Sequence, residues 1–208
     1  MWNKLTVEQV QRIDMIRRKA KDTDTLADIE CEILAIIRSV PLSVIDSMAW
    51  LEFIEARKSL SFLEDQPNSQ PIDFIRIGKK RYRFIYDIRQ MPFARYIEGK
   101  TFAQDFSQSM HKLAATMIMP QKRGFWGWKD DKYDASKHER YANDMLKAPY
   151  DAVYASAVFF CNLFKNWIMA SRDYMINQEV SKGMTQAEAE RVVNDLCKYL
   201  DGIIPANR

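Results

Sequence analysis

The residues that could do chemistry are few and scattered. Histidine occurs at 111 and 138 alone. His138-Glu139 begins like the helical zinc motif of metalloproteases, in which a second His follows four residues after the first. Ala142 stands there instead. No His/Cys spacing matches a zinc site. There is no Gly-Lys-Ser/Thr phosphate loop and no Gly-x-Ser-x-Gly elbow. Asp130, Asp131 and Asp134 offer hard oxygen ligands but not the spacing of a calcium loop. They read better as a solvated turn leading into a helix. The expectation is a chain with no catalytic residue, no metal site and no cofactor.

Two other stretches point to contact chemistry. Residues 72–89 carry Arg76, Lys79, Lys80, Arg81, Arg83 and Arg89 against Asp73 and Asp87, interleaved with Tyr82, Phe84 and Tyr86. Basic and aromatic residues in alternation are the composition of nucleic-acid surfaces. Lys and Arg also protect a sheet edge from stray pairing, and that reading is preferred because it needs no partner. The second stretch is Gly124-Phe125-Trp126-Gly127-Trp128. Three large aromatics in a loop either fold back on the domain or anchor another protein. Phe125, Trp126 and Trp128, with Lys79, Lys80 and Arg81, are the candidate partner contacts.

The elements that must position them are mainly helices. Thr6 and Gln9 form a capping-box pair ahead of Val7, Val10, Ile13 and Ile16. A second helix runs from about Thr25 to before Pro41. A third, from near Ser43 to about Ser59, turns Ile45, Met48, Leu51 and Phe53 inward. Glu64 to Pro71, with two prolines among small polar residues, is a linker. Residues 72–77 and 81–88 alternate about Gly78-Lys79, which predicts a β-hairpin. Pro92 opens a short helix that Gly99 ends. Thr101 and Gln104 cap the next, which stops at Pro120, and 121–133 is a loop. Ser136 and Glu139 cap a further helix. The dominant element runs from Pro149 to Lys182, apolar on all sides between Ala152 and Phe164 and one-sided thereafter along Phe164, Trp167, Ile168, Ser171 and Met175. Asn162, Lys165 and Asn166 interrupt it too early for a membrane span. Thr185 and Glu188 cap a last helix, with Ala189, Val192, Val193, Leu196 and Leu200 inward and Asp201-Gly202 at its end.

The expected fold is therefore mainly α: a bundle of about seven or eight helices with one β-hairpin. It divides into an N-terminal helical segment (1–63), a linker (64–71) and a hairpin-plus-helical core (72–208). The 208 residues hold six Gly, which favours helices over glycine-rich loops. The net charge of +3 does not by itself demand a nucleic acid. Cys31, Cys161 and Cys197 sit in apolar helical contexts and are expected as buried free thiols in a reducing compartment. Met1 to Asp14 lacks the apolar core of a signal peptide.

The run Ile72-Asp-Phe-Ile-Arg-Ile-Gly-Lys-Lys-Arg-Tyr-Arg-Phe, then Tyr86-Asp-Ile and Arg95-Tyr-Ile-Glu, resembles small structural and assembly proteins of tailed bacteriophages. His111-Lys-Leu-Ala, Met119-Pro120, Tyr133-Asp134, Ala148-Pro149 and Phe159-Phe160 continue the similarity, which spans about residues 60–180. The similarity is to proteins of the crAss-like phages and, more loosely, to tail-assembly chaperone-like proteins. The resemblance implies a non-enzymatic virion protein, a ring or connector subunit near the head–tail junction or tail. Such a protein is made in the host cytoplasm, forms homo-oligomers and contacts other phage structural proteins, with no membrane partner. A tail-assembly chaperone binding a helical client is the alternative, and a nucleic-acid-binding protein using hairpin 72–89 is a third. The resemblance carries fold positions and no site residue.

Overall fold

The computed structural model describes residues 1–20, 25–87 and 91–198. Expectations placed on Ile88, Arg89, Leu200, Asp201 and Gly202, and on the side chains of Phe164, Trp167, Ile168, Leu196 and Cys197, lie outside the described residues.

The mainly α architecture is present: nine α-helices and one four-stranded antiparallel sheet among the described residues. Helix α1 (Val7–Lys19) begins at the Thr6–Gln9 capping box, and α2 (Leu26–Arg38) at a matching box of Thr25 and Asp28. The expected third helix is two, α3 (Leu42–Asp46) and α4 (Trp50–Lys58). Ala49 between them is extended, at φ −63° and ψ 145°. The break resets the helical phase, so Phe53 and Ala56 turn inward while Leu51 is 78% exposed. Helix α2 likewise keeps Ile33, Leu34, Ala35 and Ile36 inside and leaves Leu26 outside.

The stretch 65–72 has no regular pairing, as its prolines dictate. It lies against the long helix: Ser69 Oγ donates to the Asp151 carbonyl at 2.9 Å, and the Ile72 N–H donates to Ser156 Oγ at 3.2 Å. Strands β1 (Phe74–Ile77) and β2 (Lys80–Phe84) form the expected hairpin. Gly78, at φ +58°, takes the first turn position, as a tight two-residue turn requires.

The single hairpin is a correction. Helix α6 (Phe106–Met117) stops before Pro120, and the expected loop is two more strands, β3 (Ile118–Gly124) and β4 (Gly127–Asp130). The sheet order is β1-β2-β3-β4, every neighbour antiparallel. Pro120 pairs with Tyr82 on β2. Toward β4 it lies just past that strand's end, so its missing N–H removes no strand pairing there.

Helix α5 (Phe93–Ala103) runs through Gly99 instead of ending at it. A Cβ at Gly99 would meet Thr116 Oγ1 at 3.4 Å and Leu113 Cδ1 at 3.7 Å. Those are ordinary contact distances, so packing of α5 on α6 carries the helix through the glycine without requiring one there. Thr101 consequently lies within α5, and α6 starts after Asp105, so the expected Thr101–Gln104 cap does not form. Nor does the Ser136–Glu139 cap. Asp134 accepts from the Ser136 N–H at 3.1 Å and caps a short 3-10 turn, after which α7 (His138–Leu146) begins.

The long helix is α8 (Tyr150–Ser181), followed by α9 (Gln186–Lys198). Val153, Ala157, Phe160 and Cys161 on α8 are buried, and Asn162 is exposed. Phe159, expected inside, is partly exposed and meets Tyr86 edge-on at 5.1 Å. Val192 on α9 faces solvent, against expectation, while Ala189 and Val193 are buried. Cys31 is half-buried rather than buried. Among the described residues, no helix is long and apolar enough to cross a membrane.

Buried apolar side chains form two clusters. One holds Ile13, Ile33, Leu34, Ile45, Phe53 and Leu63. The other holds Ile75, Tyr82, Phe84, the buried face of α6, Tyr141, Met145 and the inner side of α8. Val7 belongs to the second and Ile13 to the first, so α1 stitches the two together. The Val7 N–H donates to the Ala148 carbonyl at 3.0 Å and the Tyr150 N–H to the Leu5 carbonyl at 2.8 Å.

Candidate interaction surface on the sheet

The sheet brings the basic and aromatic stretches into one place. Along each strand alternate side chains take opposite faces. Ile75, Tyr82, Phe84 and Ile118 pack inward. Phe74, Arg76, Arg81, Arg83, Met119, Gln121, Arg123, Trp128 and Asp130 share the other face through the pairs Phe74–Arg83–Met119, Arg76–Arg81–Gln121, Gln121–Asp130 and Arg123–Trp128.

Three of the six expected contact residues are already engaged internally. Lys80 Nζ donates to Asp144 Oδ1 at 2.8 Å, and the buried Tyr82 hydroxyl donates to the same carboxylate. That bond and burial push the Tyr82 phenol well up, burial first. Lys80 thus clamps the sheet to α7. The Arg81 guanidinium lies 4.5 Å from the Phe74 ring centre and 5.5 Å from that of Trp128. Trp128 is half-buried by this arrangement. Lys79 is exposed in the first turn.

Phe125 and Trp126 are separate from these. They are the two turn residues of the β3–β4 hairpin, between the paired Gly124 and Gly127. Gly127 is at φ +120°, a conformation that strains other residues. Phe125 is 94% and Trp126 88% exposed, and their rings meet edge-to-face at 5.4 Å. Neither touches the core. The loop reading missed this because Pro120 and the glycines hid a two-residue strand-to-strand turn, and residues 118–123 carry no apolar–polar alternation to signal a strand.

The acidic run is consumed by ion pairs and a cap. Arg83 Nε lies 3.1 and 3.0 Å from the Asp130 oxygens, and this hydrogen bonding holds the Asp130 carboxyl below its usual range. Lys122 pairs with Asp131 at 2.7 Å, and Lys137 with Asp134 at 2.6 Å. Hydrogen bonds from Lys137 and Ser136 bring Asp134 down to about 2. Among the described residues no group of His, Cys, Asp or Glu is placed to hold a metal ion.

The two histidines are separately packed. His111 Nδ1 lies 3.0 Å from Gln11 Nε2, and burial pushes its imidazole down to about 4. His138 stacks on Phe102, and its Nδ1 lies 2.8 Å from the Tyr133 hydroxyl. Arg95, missed by the sequence reading, is buried beside them. Its guanidinium lies 3.8 Å from the Tyr133 ring centre and donates to the Ile118 carbonyl at 2.7 Å. Burial lowers both Arg95 and His138. This cluster joins α5, β3 and α7.

The sheet's outer face and its hairpin tip are thus the surface where exposed aromatic and cationic groups concentrate. No protein-family model, no curated protein and no solved structure matches this chain.

Proposed function

We propose that the protein acts by protein–protein contact, as a non-enzymatic structural or assembly part of a tailed phage, with Phe125 and Trp126 as its anchor. The observation that carries the contact reading is the hairpin tip. Two large aromatic rings stand at 94% and 88% exposure on a turn fixed by strand pairing. Exposed aromatics of this size are an aggregation liability unless a partner covers them. Rigid aromatic anchors dominate contact energies, and the charged residues behind the tip, Lys122, Arg123, Lys129 and Asp131, suit a wet rim. The phage setting rests on the resemblance of residues 60–180.

Replacing both tip residues (Phe125→Ala with Trp126→Ala) is expected to leave circular dichroism unchanged. It should weaken assembly by roughly 2 kcal/mol or more per anchor, read by size exclusion with light scattering. Normal assembly of this variant removes the contact reading, and unfolding would return the rings to the core. Mass spectrometry of purified particles separates the two assembly roles. A ring or connector subunit is present at fixed stoichiometry, whereas a chaperone is confined to the lysate.

A further inference from the structure

Beyond the tip, the outer face of the sheet is a second surface with its own chemistry. Arg83 is neutralised by Asp130. Arg76, Arg81 and Arg123 have no ion pair to a carboxylate among the described residues. Edge protection does not explain them all. Arg81 is on β2, which is paired on both sides, to β1 and to β3. A cation on an inner strand blocks no stray pairing. Arg81 is instead held over two aromatic rings, one on β1 and one on β4, and is half-buried between them. Phe74 is 43% exposed beside it.

We propose that this face binds single-stranded nucleic acid. Arg76 on β1 and Arg123 on β3 supply phosphate contacts. Phe74 on β1, the Arg81 guanidinium on β2 and Trp128 on β4 supply a stacking strip beside them. Four strands at about 4.8 Å spacing make the strip about 14 Å wide, room for a few nucleotides. The single strand is chosen over a duplex because stacking on Arg81 and Trp128 requires bases free of their neighbours. It is chosen over an acidic protein because three arginines without a carboxylate partner lie among aromatic faces, and every base offers a π-face where a carboxylate does not.

The test is fluorescence anisotropy of the full chain with a labelled oligothymidylate and an oligouridylate of about 20 nucleotides, at about 50 and about 200 mM salt. Binding is expected to weaken steeply between the two salt concentrations. Arg81→Gln should cost about tenfold in affinity. The exposed pair Arg76→Gln and Arg123→Gln should lower the salt slope by about 0.7 for each phosphate that is no longer neutralised. Trp128→Ala should weaken binding and leave the slope nearly intact. The tip variant of Phe125 and Trp126 should bind as the parent does, so failure here is distinct from failure of the contact reading. The proposal is overturned by absence of binding at low salt, by parent-like affinity in the arginine and Trp128 variants, or by equal binding of polyglutamate. The last result would assign the face to acidic protein partners.

Discussion

At the residue scale, polar groups inside this protein hold elements together. Asp144 takes hydrogen bonds from Lys80 and from the buried Tyr82 hydroxyl, and so ties β2 to α7. Gln11 on α1 donates to two carbonyls of α6, at Ser107 and Gln108, and meets His111. His111 makes that contact as the neutral imidazole, since burial has pushed it from its ordinary 6.5 to about 4. Lys112 lowers it further, Glu139 opposes, and His138 adds a small lowering. The unfolded chain therefore binds the proton more readily than the folded one between these two values. Stability is full above pH 6.5 and is lost as pH falls toward about 4. The melting temperature should drop across that window, and His111→Gln, which keeps an acceptor for Gln11, should flatten part of the slope. A melting temperature flat over that range, or an unchanged slope in the variant, would refute the assignment.

At the scale of elements, α8 is the main support of the larger core. Phe160 is 4% exposed on its inner side, with Ala157 and Cys161 buried next to it. Phe160→Ala should cost about 3–5 kcal/mol in chemical denaturation, the range for emptying a buried aromatic site. A loss below about 1 kcal/mol would place Phe160 outside the core. The first half of this helix was legible in the sequence because a nearly continuous apolar run must bury most of its surface. Its outer side was less legible. Phe159 is apolar too, yet it ends 38% exposed, with its ring edge-on to Tyr86.

At the scale of the whole molecule, two clusters share one helix. Val7 and Ile13 on α1 enter different cores, and Trp2 meets both Phe62 and Tyr150. Unfolding of either side removes partners from the other. A single cooperative transition is expected, coincident by far-ultraviolet circular dichroism and by tryptophan fluorescence. Trp2 and Trp50 report one end of the chain and Trp128 the sheet. Two resolved transitions would mean that α1 does not couple the clusters.

Local rules determined much of this protein from sequence. Three capping boxes at Thr6, Thr25 and Thr185 lie where such boxes start helices, although the sequence reading pairs only the first and the last. The Gly78 turn and the apolar run of α8 are equally local, because backbone geometry and burial of a continuous apolar surface depend on neighbours in the chain. Tertiary structure decided the rest. Gly99 is read locally as a stop, yet α5 continues through it where it packs against α6. Residues 118–130 contain Pro120 and two glycines, which locally say loop, yet β2 offers an open ladder that pairs them into strands. The candidate site followed the same division. The residue types at 72–89 and 124–128 were visible in sequence, but strand register alone put Arg81 between Phe74 and Trp128 and left Phe125 and Trp126 at the tip. Register pairs residues tens of positions apart, and no local preference encodes that distance.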